Sequence, residues 1–450
     1  MVDWATLPND MLVLISKSLE SSFDLVKFRS VCSSWRNAAA EPKRRLLPLQ
    51  DFPIIPGNGG SLFPDSALGF RLSQRIILLI KPHHEQADSI IGGWLIKVKE
   101  DFHIPRKLSL PHPLADYSRF FPRRFSRVLD MSKFKVREMG REFNLHCLDT
   151  GGYSFNSPYT QKTVVKYLDS DEESRFVLLT ILVSGYLDVS GKLAVFTSWD
   201  QAWTVINEDG CFCDVILFHG CFFAVEDDGR TVVVDFSSMK LTMVASPVFG
   251  GEKKVLVESC GDLLLVDMYL GIKFDAISLW NFEEEDYMEH NGVFGNEITH
   301  KIKVFKFVER EKSWVEVKDL GDKILFLGDE STFSASASDI LPLYGGSVFF
   351  HGFVFDWEDL DTMDYKDLGV CEFTSGEIKI VRQHPEYAKL FWPPPPWITS
   401  PKLVRKLPEY AKLFSPPPPE NRGQVLDNSQ AQVKVRRSTR QRFQNNKYLD

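Results

Sequence analysis

Gly220-Cys-Phe-Phe-Ala-Val225 is a glycine followed by an unbroken apolar run too short for a helix, and its reading decides the fold. The same form returns at Gly191-Lys-Leu-Ala-Val-Phe196, Gly261-Asp-Leu-Leu-Leu-Val266, Gly321-Asp-Lys-Ile-Leu-Phe-Leu327 and Gly346-Ser-Val-Phe-Phe350. Runs of this length that do not alternate read as strands buried on both faces. A second form, a small residue before a tryptophan, stands at Gly93-Trp94, Ala202-Trp203 and Ser313-Trp314, with the tryptophans 109 and 111 residues apart. Few stretches between Phe70 and Val381 suit a helix. Such repetition predicts a β-propeller, whose four-stranded blades of roughly 40 to 50 residues cannot bury their faces alone. At that size, residues 69–384 supply six or seven blades. The glycine intervals vary, and an acidic insertion beginning Phe282-Glu-Glu-Glu-Asp286 interrupts one unit, so a pair of β-sandwiches is the competing arrangement.

Upstream the pattern changes from strand to helix. In Leu7-Pro-Asn-Asp-Met-Leu-Val-Leu-Ile-Ser-Lys-Ser-Leu19, Leu12, Ile15 and Leu19 share a face at helical spacing, while Met11, Val13 and Leu14 cover most of the rest. A second apolar segment carries Phe23-Asp-Leu25, Val31-Cys32 and Trp35-Arg36. A helix that is apolar nearly all round is buried on more than one side. A unit of roughly 45 residues has little core of its own to supply that burial, so one face awaits another protein. The competing reading is an amphipathic hairpin that caps the next domain.

The residue types, order and spacing of Leu7-Pro8, Leu12, Ile15, Leu19, Asp24-Leu25, Val31-Cys32 and Trp35-Arg36 resemble the F-box motif. That resemblance implies docking to a Skp-type adaptor, and through it to the cullin and RING subunits of an SCF ubiquitin ligase. Leu7, Pro8, Leu12, Ile15, Leu19, Leu25, Val31, Cys32 and Trp35 are then the adaptor-binding set, with Cys32 and Trp35 either extending the surface or holding the helices together. Three later segments resemble the kelch-like β-rich domain of a plant family of F-box proteins called SKIP-like or KIB-like: Val128–Phe143, Leu217–Val225 and Leu320–Ser338. The resemblance implies a non-catalytic subunit, without cofactor, that holds an unidentified protein target.

The fold class expected is therefore α+β multidomain, a small all-α F-box followed by a large all-β domain. The expected boundaries are an F-box module at 1–46, a linker at 47–68 containing Pro56-Gly-Asn-Gly-Gly60, the propeller at 69–384, a Pro-rich duplicated segment at 385–420 and a basic disordered tail at 421–450. In the duplication, Pro385-Glu-Tyr-Ala-Lys-Leu-Phe391 recurs at Pro408 to Phe414, and four prolines follow each copy. Its bland reading is a stiff linker; its functional one is a polyproline ligand for SH3- or WW-type domains. The tail, Lys434-Val-Arg-Arg-Ser-Thr-Arg-Gln-Arg442, is a nuclear localisation signal, a weak phosphate binder or simply solvated.

The 450 residues carry 35 Phe and 10 Trp, which suits β-strands, and a net charge of -8, which argues against a nucleic-acid binder. Seven scattered cysteines suggest no disulfide framework, the start lacks a signal-peptide pattern, and the greasy run Ile76–Ile80 is far too short to span a bilayer. Nucleus, cytoplasm or both are expected, with no membrane partner. No Walker loop, Gly-x-Gly-x-x-Gly, His-Glu-x-x-His or Gly-x-Ser-x-Gly elbow occurs. Cys211, Cys213, His219 and Cys221 are the best metal candidates, but their spacing fits strand packing better. Arg119, Arg123, Arg124, Arg127, Lys133, Lys135, Arg137 and Arg141 form a basic run interleaved with Asp130, Glu138 and Glu142, so it reads as self-paired. Two rivals stay open: a propeller enzyme with converging acids or histidines, and a nuclear nucleic-acid-associated scaffold whose F-box is degenerate.

Overall fold

Strands that are apolar on both faces need a neighbour on each side, and the structure supplies one. It is a computed structural model that describes residues 7–18, 25, 28–29, 31–39, 50–55, 67–82, 93–100, 108–115, 134–149, 154–156, 160–168, 175–182, 191–206, 210–273, 296–340, 345–351, 368–391, 394–395 and 398. The chain divides into two units, Met1–Arg405 and Lys406–Asp450, and every described residue lies in the first.

The first helices with described bounds are α1 (Asn9–Ser18) and α2 (Ser33–Ala38). The strands then follow in five groups. The first holds β1 (Gln50–Phe52), β2 (Ala67–Pro82), β3 (Trp94–Glu100), β4 (Leu108–Ser109), β5 (Phe134–Asp149) and β6 (Ser154–Asn156). The second holds β7 (Thr160–Tyr167), β8 (Phe176–Leu182), β9 (Leu193–Thr197) and β10 (Ala202–Val205), and the third β11 (Phe212–Phe218), β12 (Cys221–Glu226), β13 (Thr231–Asp235) and β14 (Lys240–Ala245). The fourth holds β15 (Lys253–Ser259), β16 (Asp262–Lys273), β17 (Asn296–Val308) and β18 (Ser313–Val317). The fifth holds β19 (Lys323–Leu327), β20 (Thr332–Ser336), β21 (Ser347–His351), β22 (Leu368–Glu372) and β23 (Glu377–Ile380). Two further short α-helices are described, α3 (Ala337–Ile340) after β20 and α4 (Pro385–Ala388) after β23 and the 3-10 turn Val381–Gln383.

Groups three and four are plain antiparallel meanders, whereas group five contains one parallel pair, β19 with β21. Groups one and two are joined through the Phe143–Thr163 pair of β5 and β7. The strands β5, β7, β11, β15 and β20 each lie against the next, and β20 returns to β5, so the groups close a ring. Successive residues of one strand face different neighbours: Val215 of β11 packs against the second group while Ile216 packs against the fourth. The apolar runs do not alternate because both faces are interfaces.

The turns explain the glycines. His219 and Gly220 (φ 47° and 74°) form a two-residue hairpin between Phe218 of β11 and Cys221 of β12, and Cys260 and Gly261 (φ 53° and 80°) repeat it between β15 and β16. Positive φ at both central residues matches the strand twist, and glycine adopts it at no steric cost.

The described strands form five groups around the ring, where six or seven blades were expected. The expectation rests on blades of roughly 40 to 50 residues, whereas the first group alone spans residues 50–156; Trp94, Trp203 and Trp314 stand in the first, second and fourth groups. Blade length also varies, with 16 residues each in β2 and β5. The tryptophans are staples between neighbours. Trp314 Nε1 donates to Thr231 Oγ1 of the third blade at 3.1 Å, and Trp203 Nε1 donates to the carbonyl of Pro53, beside β1 of the first blade, at 3.0 Å.

The boundary expected at residue 384 is displaced. Pro385–Phe391 belongs to the core between the last and first blades, where Leu390 and Phe391 are 1% and 2% exposed. Pro385 opens α4 at a position where its missing N–H costs nothing, so here it starts structure rather than a linker. The acidic stretches at 283–286 and 356–364, the second copy at 408–414 and the tail at 434–442 lie outside the described residues.

Candidate functional site

The helical module is held by a small core. Leu12, Phe28, Ala38 and Ala39 are buried, and Leu7, Val13, Ile15, Leu25 and Trp35 pack around them half-buried. The Pro8 carbonyl accepts the N–H groups of Met11 and Leu12 at 3.1 Å each, which starts α1, and Asp10 sits in the first turn where the helix dipole favours an acid. The Phe28 and Trp35 rings lie 4.5 Å apart. Arg29 Nη1 donates to the Arg36 carbonyl at 3.0 Å, and Arg36 Nε donates back to the Arg29 carbonyl at 3.2 Å.

What this core leaves out is informative. Pro8, Met11 and Leu14 recur every third residue, and all three are exposed, Met11 at 49% and Leu14 at 63%. Val31 is also exposed, at 55%. An apolar stripe of this kind on a helix is unpartnered surface. Of the residues expected to face the adaptor, Pro8 and Val31 are exposed, whereas Leu12 is 1% exposed and lies in the small core. Leu7, Ile15, Leu25, Cys32 and Trp35 are half-buried, and Leu19 lies outside the described residues. Met11 and Leu14, which the sequence places on this helix but not in the expected adaptor set, complete the exposed stripe.

The β domain has a central cavity of about 440 Å³, lined by the inner strands with Arg141, Lys162, Glu258, Glu330 and Thr332 among them. Around it, buried charges meet in pairs. Glu142 lies 2.6 Å from Arg75 Nη1 and 2.7 Å from Lys97 Nζ, and accepts Ser331 Oγ at 2.9 Å. Arg75 also reaches Glu330 at 3.0 Å, tying the first blade to the turn before β20. Burial pushes the Glu142 carboxyl up, but Lys97 and Arg75 outweigh it and hold the group at about 2. Asp214 joins three blades: it pairs with Lys162 of β7 at 2.8 Å, accepts Val215 N–H at 2.8 Å in its own strand, and accepts Leu256 N–H of β15 at 2.6 Å. Lys254 and Asp267 pair at 2.6 Å inside the fourth blade. These groups neutralise one another, which makes them braces rather than an acid and base aimed at a substrate.

The cysteine and histidine candidates are not brought together as ligands, and among the described residues no cluster of three or more His, Cys, Asp or Glu could hold a metal ion. Cys213 Sγ lies 3.5 Å from the carbonyls of Val225 and Lys254, and burial pushes its thiol up to about 12. His219 stacks on Phe218 at 3.9 Å in the hairpin turn. In the basic run, Arg137 pairs with Asp339, and Arg141 with Glu138 at 2.5 Å; Arg119 to Arg127 and Lys133 lie outside the described residues. No helix among the described residues is long and apolar enough to cross a membrane.

A helical module with an uncovered apolar stripe, followed by a ring of β-sheets, defines an F-box protein with a propeller. The F-box domain model matches residues 4–47, and the KIB1-4 beta-propeller model matches residues 69–374. The chain belongs to this plant family of F-box proteins with a KIB1-4 β-propeller. It is 64% identical to F-box protein SKIP23 of Arabidopsis thaliana over 89% of this chain and 96% of that protein. It is 49% identical to the Arabidopsis F-box protein At2g17036 over 89% and 96% of the two chains. The putative F-box/kelch-repeat protein At5g24040, also from Arabidopsis, is 26% identical over 89% of this chain and its own full length.

Proposed function

We propose that the chain is the substrate-recognition subunit of an SCF-type ubiquitin ligase. The stripe of Pro8, Met11 and Leu14, with Val31, docks a Skp-type adaptor that links it to the cullin and RING subunits. The propeller holds a protein target and raises its effective concentration beside the ubiquitin-loaded enzyme, and the chain does no bond chemistry itself. Such a subunit works in the nucleus, the cytoplasm or both, which the seven free thiols support.

The single observation that carries this reading is the exposed apolar stripe beside a core of Leu12, Phe28, Ala38 and Ala39 that does not use it. A shape-matched partner would bury these side chains, and a buried hot spot of that kind contributes about 2 kcal/mol or more. The test is titration of the purified full chain with a plant Skp-type adaptor, compared with the Leu14→Glu and Met11→Glu variants. A loss of affinity of at least tenfold with unchanged helix content supports the assignment; an adaptor that binds the variants as tightly as the parent sinks it.

A further inference from the structure

Val381-Arg-Gln-His-Pro-Glu-Tyr-Ala-Lys-Leu-Phe391 has a second copy further along the chain, Val404-Arg-Lys-Leu-Pro-Glu-Tyr-Ala-Lys-Leu-Phe414. The first copy fills a groove between the last and first blades. Its Val381, Tyr387, Leu390 and Phe391 are buried there, with Ala388 packed against them, on the side chains of Leu95, Phe326 and Phe349. The Phe391 and Tyr387 rings meet Phe349 edge-on at 5.6 Å and 5.7 Å. Three polar contacts fix the register: Tyr387 Oη donates to Glu372 at 2.9 Å, Leu95 N–H donates to the Leu390 carbonyl at 2.9 Å, and Trp94 Nε1 donates to the Phe391 carbonyl at 3.0 Å.

Every side chain that the groove reads recurs in the second copy, as Val404, Tyr410, Ala411, Leu413 and Phe414. The other two contacts go to main-chain carbonyls, which any residue supplies. Within these eleven positions the copies differ at two, where Gln383 and His384 become Lys406 and Leu407. Gln383 is exposed, and His384 is half-buried and outside the packed cluster, with its imidazole 3.2 Å from Glu386. The differences thus fall where the groove makes no demand.

We propose that this groove is a peptide site that recognises the pattern Val-x-x-x-x-x-Tyr-Ala-x-Leu-Phe, and that Val404–Phe414 is a second, interchangeable occupant of it. Seating the second copy leaves 23 residues looped out between Ile380 and Val404. Loop-closure entropy grows only with the logarithm of length, so the exchange is cheap beside the apolar contacts it reproduces. The closing contact of the propeller is in this sense held in duplicate.

Thermal unfolding of three full-length variants tests the exchange: Tyr387→Ala with Phe391→Ala, Tyr410→Ala with Phe414→Ala, and all four together. Expected are a small fall in Tm for the first pair, none for the second, and for the quadruple variant a loss well beyond the sum of the two. A first pair that lowers Tm as much as all four changes, or that fails to fold, overturns the proposal. A synthetic peptide of residues 404–415 provides a second reading: added to the quadruple variant, or to its cell lysate if it is insoluble when isolated, it raises Tm or protease resistance where a scrambled peptide does not. No difference between the two peptides overturns the proposal as well.

Discussion

Trp94 donates its indole N–H to the carbonyl of Phe391 at 3.0 Å, which ties the third strand of the first blade to the chain that has just left the last one. A ring of sheets has one seam where its two ends meet. Here the seam is covered by Val381 and by Pro385–Phe391, whose Tyr387, Leu390 and Phe391 side chains are buried. A chain ending at Ser400 keeps this seam and is expected to retain the Tm of the full protein, while one ending at His384 loses its cooperative transition. In the chain ending at Ser400, where no second copy is present, Phe391→Ala should cost about 3 to 5 kcal/mol by urea denaturation.

Acid should loosen the first blade in two stages. His146 of β5 is buried with Ser73 Oγ 2.7 Å from its Nε2, and burial together with Lys99, Arg75 and Arg71 pushes its imidazole down to about 3. The folded state then binds fewer protons than the unfolded chain between pH 6.5 and 3, so stability falls as the pH drops through that window. By pH 5 the loss should be of order 1 to 2 kcal/mol. Glu142, held at about 2, adds stability above the ordinary carboxylate range that is lost as the pH falls from about 4.5 towards 2. Urea midpoints measured from pH 7.5 to 4 should show the first slope, and His146→Gln should flatten it between pH 6.5 and 5.

Asp214 should be the costliest single carboxylate to remove, because its side chain serves the second, third and fourth blades together. Asp214→Ala strands a buried Lys162 and an unsatisfied Leu256 N–H, and is expected to lose about 3 to 5 kcal/mol. Asp214→Asn keeps one acceptor and should fall between. Adaptor affinity, measured on the same samples, should not change, since Asp214 braces the propeller and does not touch the helical stripe.

Much of this was legible in sequence, for identifiable reasons. The runs after Gly220 and Gly261 announced doubly buried strands because the turn before each needs positive φ and the strand after it has two interfaces to fill. The blade count was not legible, since dividing the length by roughly 40 to 50 residues per blade assumes equal units, and the first group alone spans residues 50–156. Pro385–Phe391 read as a linker because the prolines after it dominate the composition, whereas its Tyr387, Leu390 and Phe391 carry the information. The braces at Glu142 and Asp214 join residues far apart in sequence, such as Glu142 with Ser331, and no local pattern marks them.

The helical module separates core from exposed surface within two residues, and this makes the adaptor assignment testable without a structure of the complex. Leu12 is 1% exposed and Leu14 is 63% exposed, so their substitutions should divide cleanly. Leu12→Ala removes side-chain volume from a core built on four buried residues, and is expected to cost about 2 to 5 kcal/mol and to lower helix content by circular dichroism. Leu14→Glu places a charge in water, and should leave stability within about 0.5 kcal/mol of the parent. If the stripe docks the adaptor, the order reverses in a pull-down at low temperature: Leu14→Glu loses the partner while fully folded, and Leu12→Ala retains it in proportion to its folded fraction. Equal losses from both would mean that binding reports only folding, and that the outward side chains contribute no contact of their own.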